Sequence, residues 1–185
     1  MVQNVQQMDA ATFDAWVAEQ PEEQLFEFIN GEVFEKPMVT KDGHGIVVSI
    51  LIGYLTQHLI AHDTDGYVTG ETSGYQFGEK RCIPDGALVL GQAPTGEAYS
   101  NNHPTLVIEV ISDEDNSAEL RALALKREIY LDAGIAVWEG SIEGRYVDVY
   151  TPDGRYRRVR DTLTLDALPG LNIPLSRVFR ETTTE

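Results

Sequence analysis

The segment TLVIEVIS, at residues 105–112, is a nearly continuous run of apolar and β-branched residues. Such a run is typical of a central strand buried on both faces of a sheet, because a half-exposed strand alternates apolar with polar residues. A polar loop, a helical pattern from about residue 118 to 133 and a second apolar run, IAVWEG, follow it. Gly134 stands where the residue after a helix C-terminus is expected. The order strand, helix, strand predicts a crossover between two strands of one sheet.

The N-terminal half adds a hairpin and another long helix. Asp9 is the predicted N-cap of a short helix that ends before Pro21. The pair Asn30-Gly31 predicts the two-residue turn of a β-hairpin, since both residue types tolerate positive φ. From about Gly45 to Ala61 the apolar residues recur at spacings of three and four, which predicts an amphipathic helix packed on a sheet.

Three short runs between these helices, GYVTG, SGYQFG and PDGALVL, are punctuated by glycine and read as strands of a meander. Together with the crossover and the hairpin they predict an α/β fold. We expect a central mixed β-sheet flanked by α-helices, with an N-terminal β-hairpin.

Length and charge limit the classes of protein that remain. A chain of 185 residues suggests one domain, with a core at about 24–180 and a polar tail at 181–185. The net charge of −16 repels polyanions and the anionic face of membranes, so a nucleic-acid function needs a metal ion or a local basic strip. The single cysteine, Cys82, fits a reducing compartment, and the N-terminus lacks the pattern of an export signal. We therefore expect a cytoplasmic protein without a membrane span.

Glu109 interrupts the apolar run TLVIEVIS. An ionised carboxylate in a buried strand costs several kcal/mol unless a cation meets it, so such a residue calls for a specific reason. The structural alternative is a glutamate at a strand edge that points to water or pairs with an arginine.

Asp85 follows Pro84 in RCIPDGALVL. Proline lacks an N–H and suits the entrance to a strand, which places Asp85 at the start of a strand that neighbours the strand of Glu109. Two carboxylates on adjacent strands can share Mg²⁺, which takes one or two protein carboxylates and keeps several waters. The structural alternative is a plain Pro-Asp-Gly turn.

Lys126 lies in the helix predicted after the central strand. On a helical wheel it falls opposite the charged residues of the solvent face and shares its side with Leu123 and Tyr130. Its ammonium is therefore aimed over the sheet toward the preceding strand. A lysine that snorkels from the rim of the apolar stripe is the alternative, and Arg127 is a competing inward cation.

Asp85, Glu109 and Lys126 would together suit phosphodiester hydrolysis. A metal held by two carboxylates lowers the pKa of bound water and neutralises a phosphate, while a lysine orients the nucleophile or stabilises developing charge. Mg²⁺ is the expected ion and Mn²⁺ an alternative. No spacing in the sequence forces these residues to converge, so the hypothesis depends on the predicted sheet.

The succession LFEFINGEVFEKP, His44, IPDGALVL, TLVIEVIS and LKREIYLDAGIAVWEG resembles the Uma2 family within the PD-(D/E)XK nuclease superfamily, over about residues 24–180. The resemblance implies a restriction-endonuclease-like fold with an active site at Asp85, Glu109 and Lys126. The superfamily's usual lysine position is Ile111 here, which implies a lysine displaced onto the helix.

The resemblance also places Glu27 and His44 near the same pocket. Their alternatives are structural: His44 could be a helix-start residue, and Glu27 an exposed strand residue.

Basic residues cluster in two places, at Lys80-Arg81 and along the run RYRRVR, which holds Arg155, Arg157, Arg158 and Arg160. Phosphate contact is the functional interpretation of both clusters. The alternative is a solvated edge strand on which arginines discourage unwanted pairing.

We expect a Mg²⁺-dependent endonuclease that acts on DNA, as a homodimer because a two-fold arrangement suits the cutting of both strands. Two other hypotheses remain open. One is a catalytically silent relative that serves as a protein-binding or regulatory module. The other is a metal-dependent phosphodiesterase for a smaller substrate, which would tolerate the acidic surface better.

Overall fold

Helices and strands alternate along the chain in a computed structural model that describes residues 8–21, 23–36 and 42–179. The predicted polar tail at 181–185 lies outside the described residues. The helices are α1 (Ala10–Val17), α2 (Asp42–Ala61), α3 (Ser117–Asp132) and α4 (Leu175–Val178). The strands are β1 (Leu25–Ile29), β2 (Glu32–Lys36), β3 (Gly66–Thr69), β4 (Gly74–Phe77), β5 (Lys80–Cys82), β6 (Gly86–Leu90), β7 (Tyr99–Ser100), β8 (Leu106–Ile111), β9 (Ala136–Ser141), β10 (Tyr146–Tyr150), β11 (Tyr156–Val159), β12 (Thr162–Leu163) and β13 (Ile173–Pro174).

Local sequence signals set the N-terminal elements as predicted. The Asp9 side chain accepts a hydrogen bond of 2.8 Å from the backbone N–H of Thr12 and so caps α1. Strands β1 and β2 pair antiparallel around Asn30 and Gly31, whose φ angles are 53° and 84°. Positive φ at both central residues is the requirement of a type I′ turn, and the predicted hairpin is confirmed.

The central sheet has the strand order β11-β10-β9-β8-β6-β3. Strands β8 and β9 are parallel and are connected through α3, whereas the other neighbours in this sheet pair antiparallel. The crossover and the mixed sheet predicted from TLVIEVIS are therefore confirmed. Gly134 has a φ of 79° just after α3, a conformation that glycine adopts without strain.

The predicted meander is wrong, because its strands divide between two sheets. Strand β3 pairs with β6 in the central sheet, while β4 and β5 belong to a second sheet of order β2-β1-β5-β4-β7. Pro84 lies between β5 and β6 and cannot donate to a strand ladder, so pairing stops there and the chain passes from one sheet to the other. Glycine-bounded apolar runs identify strands but do not identify their partners.

Helices cover both faces of the central sheet. Leu106, Ile108 and Val110 of β8 pack in one core cluster with α2 and α4, whereas Val107 packs in another cluster with residues of α3 and the second sheet. Because strand side chains alternate between faces, Glu109 points to the α3 face. Helix α2 is long and apolar enough to cross a membrane by length and composition alone. Here it supplies Val47, Val48, Leu51, Leu55 and Leu59 to the core.

Burial of Cys82 gives a direct test of this packing. Its side chain is fully buried at the end of β5, and burial, together with the carboxylate of Glu27, raises the pKa of the thiol to about 12. Because the thiolate is the reactive species, we expect labelling by 5,5′-dithiobis(2-nitrobenzoic acid) at pH 8 to be roughly 100-fold or more slower in the native protein than in urea. Fast, complete labelling of the native protein would contradict the position given to β5.

Candidate functional site

Five residues singled out in the sequence lie in one buried cluster between the two sheets. Asp85 precedes β6, Glu109 lies in β8, Lys126 in α3, Glu27 in β1 and His44 in α2, and each is less than a tenth exposed. Strands β6 and β8 are direct neighbours, which sets Asp85 beside Glu109. The backbone N–H of Val110 donates to Asp85 Oδ2 over 2.8 Å and fixes that carboxylate.

Lys126 links the two sheets. Its Nζ lies 2.7 Å from Glu109 Oε1 and 3.0 Å from Glu27 Oε1, and it donates to the carbonyl oxygen of Ile83 over 3.2 Å. Arg127 turns to the side and binds Glu139 through Nη1 at 2.8 Å. The structure therefore places Lys126, and not Arg127, in the cluster.

Lys36 is a member of the cluster that the sequence analysis missed. Its Nζ donates to Asp85 Oδ1 over 2.8 Å and to the carbonyl oxygen of Ile83 over 2.9 Å. In the β1–β2 hairpin Glu27 stands opposite Phe34, so Lys36, two residues further along β2, lies on the same face as Glu27. The segment EVFEK does not alternate polar with apolar residues, so the face of Lys36 becomes known only with the hairpin register.

His44 approaches Asp85 from the α2 side. Its Nδ1 shares a hydrogen bond of 2.8 Å with Ser112 Oγ, and its Nε2 lies 3.4 Å from Asp85 Oδ2 and 3.8 Å from Glu71 Oε1. Within the described residues this buried Nε2 makes no hydrogen bond of regular geometry. Ser112 and Glu71 were also missed, because neither has a distinctive sequence context. The Glu71 side chain is 36% exposed, so the cluster approaches solvent on its side.

Burial and charge push the pKa values of the two main carboxyl groups apart. Burial raises the pKa of Glu109 to about 7, with Asp85 adding to the effect and Lys126 opposing it. Burial also acts to raise the pKa of Asp85, but contact with His44 and the charge of Lys36 outweigh it and hold that pKa well below its usual range. Near neutral pH Asp85 is therefore ionised, whereas Glu109 exchanges a proton readily.

The ammonium of Lys126 stays charged. Burial alone would lower its pKa, but the carboxylates of Glu109, Glu27 and Asp85 raise it above the ordinary lysine value. The pKa of His44 is also raised, because its contact with Asp85 outweighs burial. Tyr130 completes the surroundings of Glu109 by donating its hydroxyl to Oε1 over 2.9 Å.

The donor set fits a hard divalent ion held by few protein ligands. Across residues 8–21, 23–36 and 42–179, no group of three or more His, Cys, Asp or Glu side chains is arranged to hold a metal ion. Mg²⁺ commonly takes only one or two protein carboxylates, however, and completes its shell with water and phosphate oxygens. Asp85, just before β6, and Glu109, on the neighbouring strand β8, supply two carboxylates. The site therefore suits an ion shared with substrate and does not form a closed cage.

The predicted basic contacts form none of the ion pairs of this cluster and differ in exposure. Arg81 is buried and forms two hydrogen bonds with Asp14, of 2.9 and 2.7 Å, an arrangement that favours a structural role. Lys80 is half-buried on β5. Arg155 precedes the edge strand β11, which carries Arg157 and Arg158, and all three arginines are exposed.

Replacing Lys126 by Met tests the central ion pairs. The change leaves Glu27 and Glu109 buried without their shared cation, so we expect a loss of about 3–5 kcal/mol in the free energy of unfolding, measured with urea at pH 8. The loss should shrink at pH 5.5, because burial already raises the pKa of Glu109 to about 7 and protonation of this carboxyl group removes its buried charge. The double variant Lys126→Met/Glu109→Gln should recover part of the loss.

The matched control for Lys126→Met is Arg121→Met, which removes an exposed cation from the same helix. We expect it to change stability by no more than about 0.5 kcal/mol. Equal effects of the two substitutions would show that Lys126 has no special electrostatic role.

Two comparisons with known proteins bear on this geometry. The crystal structure of a protein from Anabaena variabilis, described as a "putative nuclease belonging to DUF820", superposes with a TM-score of 0.73 over 93% of this chain and 97% of that chain. The two sequences are 18% identical, so the likeness shows the fold alone, and it confirms the restriction-endonuclease-like α/β fold. No curated protein matches the chain. A family model described as "Putative restriction endonuclease" matches residues 10–176, and the chain therefore belongs to the Uma2 family, as its motifs indicated.

Proposed function

We propose that this protein is a metal-dependent endonuclease that hydrolyses DNA phosphodiester bonds, with Mg²⁺ as its ion and Mn²⁺ as a substitute. One observation carries the proposal: Asp85 directly precedes β6, Glu109 lies on the neighbouring strand β8, and Lys126 Nζ lies 2.7 Å from Glu109. Membership in a family described as "Putative restriction endonuclease" also supports the reaction class.

Asp85 and Glu109 are the proposed ligands of the ion. When bound, the ion would lower the pKa of a water molecule and neutralise phosphate charge. Lys126 favours the ionised form of Glu109 and fixes its position through the contact of 2.7 Å. Glu27 in turn holds Lys126 and accepts from the backbone N–H of Ile83 over 2.7 Å, so it acts as a positioning residue.

His44 is the proposed group for proton exchange at the edge of the cluster. Its Nδ1 is fixed by Ser112, while its Nε2 faces Asp85 and Glu71 without a hydrogen bond of regular geometry to described residues. When the ring is neutral and Nε2 carries no proton, this nitrogen can accept a proton from a group that enters the cluster from the side of Glu71.

DNA has to approach a chain of net charge −16, so the exposed basic residues matter. Lys80, Arg155, Arg157 and Arg158 are the proposed phosphate contacts, and Arg81 would support them by holding β5 against Asp14. A homodimer belongs to the same proposal, because two copies related by a two-fold axis can cut both strands. A cytoplasmic location is also proposed, from the single cysteine and the DNA substrate.

Plasmid cleavage tests the proposed reaction. We expect the wild-type protein to nick or linearise supercoiled plasmid at low salt with Mg²⁺ or Mn²⁺, and EDTA to abolish this activity. Asp85→Asn and Glu109→Gln should each lower the cleavage rate by about 100-fold or more, since each removes a proposed metal ligand. The matched control is Glu128→Gln, an exposed glutamate on the outer face of α3, which should cleave normally.

Two outcomes would contradict the DNA endonuclease. Intact plasmid under all conditions, together with Mn²⁺ binding that Glu109→Gln leaves unchanged, would identify a silent relative that works as a protein-binding module. Hydrolysis of bis(p-nitrophenyl) phosphate without any cleavage of DNA would instead indicate a phosphodiesterase for smaller substrates. Circular dichroism of each variant separates loss of chemistry from loss of fold.

A further inference from the structure

Two lysine ammonium groups in the cluster share one backbone carbonyl. The oxygen of Ile83 accepts from Lys36 Nζ over 2.9 Å and from Lys126 Nζ over 3.2 Å. Ile83 lies in the short link between β5 and β6, just before Asp85, so this link brings both cations to the proposed metal ligands. The two lysines differ in how fully their N–H groups are used.

Lys126 is fully surrounded. A lysine ammonium has three N–H groups, and three oxygen atoms, from Glu109, Glu27 and Ile83, lie within 3.2 Å of Lys126 Nζ. Its side chain is 8% exposed. Lys126 can therefore contact a substrate or a water molecule only by giving up one of these oxygens, and either carboxylate would then lie buried and less well compensated.

One N–H group of Lys36 has no acceptor among the described residues. In the part of the chain that the structure describes, its Nζ has two acceptors, Asp85 Oδ1 at 2.8 Å and the oxygen of Ile83. Three N–H groups against two acceptors leave one for a further anion. Lys36 is also the last residue of β2, which is the edge strand of the second sheet, and its side chain is 13% exposed. It can move at a lower cost than Lys126.

Lys36 and a metal ion would compete for the same atom. Asp85 Oδ2 is held by the backbone N–H of Val110, whereas Oδ1 is bound to Lys36. A cation held by Asp85 would repel the nearby ammonium of Lys36, and that ammonium would then gain most from a new anionic partner close by. A phosphodiester bound at the cluster is such a partner.

We propose that Lys36 is a catalytic residue that leaves Asp85 and donates to a non-bridging oxygen of the scissile phosphate. Lys126 is then a positioning residue for Glu109. This inference rests on the proposed nuclease function. Lys36 remains protonated throughout and changes only its hydrogen-bond acceptor, so no bond to it forms or breaks.

The test compares metal affinity with turnover in Lys36→Met. Without DNA, we expect the variant to bind Mn²⁺ about tenfold more tightly than the wild type by isothermal titration calorimetry, because a competing charge is gone. In plasmid cleavage its kcat should fall by about 100-fold or more, as on removal of a donor to the reacting group. Lys36→Arg, which keeps the charge, should recover part of kcat and also covers the case in which Lys36→Met fails to fold. Arg121→Met is the charge-matched control and should leave both quantities unchanged.

The outcomes separate this inference from the function on which it rests. Tighter Mn²⁺ binding with lower kcat in Lys36→Met supports the inference that Lys36 leaves Asp85 and donates to the phosphate. Weaker Mn²⁺ binding in Lys36→Met would mean that Lys36 merely positions Asp85. An unchanged kcat would mean that Lys36 does not touch the substrate. Either result overturns the inference, while the cleavage of DNA by the wild-type protein still supports the proposed function. A wild-type protein that neither binds Mn²⁺ nor cleaves DNA overturns the proposed function and this inference with it.

Discussion

The buried ammonium of Lys126 is the contact on which the arrangement of the cluster depends. It reaches from α3 to Glu109 on the central sheet and to Glu27 on the second sheet, and it also binds the link between β5 and β6. Taking such charges out of water is costly, and their attraction offsets the cost only when the geometry is well satisfied. A cluster of this kind therefore favours one relative placement of strands and helix over others in which the carboxylates lack a cation.

The polar cluster lies beside an apolar contact between the same two sheets. Tyr75, Phe77 and Cys82 of the second sheet pack in one core cluster with Val107 and Val137 of the central sheet. Apolar burial supplies attraction without direction, whereas the ion pairs of Lys126 and Lys36 require particular registers. We infer that the apolar contact holds the sheets together and that the lysines fix how β1 and β2 stand relative to Asp85 and Glu109.

Most of the fold could be predicted because its signals are local. The run TLVIEVIS, the Asn30-Gly31 turn and the helical pattern around Lys126 each specify an element within a few residues. Strand partners and long-range ion pairs are set by tertiary packing, so the sequence did not show that β3 and β4 separate or that Lys36 reaches Asp85. Helix geometry placed Lys126 on the inward side, with Arg127 as a competing cation, whereas Lys36 needed the register of a hairpin.

Burial raises the pKa of Glu109 to about 7, and the charges around it suggest what would stabilise its ionised form. Three carboxylates, Glu27, Asp85 and Glu109, face two ammonium groups, Lys36 and Lys126. With His44 neutral, the cluster carries one negative charge in excess, which a buried site disfavours. A divalent ion would reverse the sign to a single positive charge, and a phosphodiester, with one negative charge, would restore neutrality. The same balance favours movement of Lys36, because a bound phosphodiester would offer it an anionic acceptor in place of Asp85.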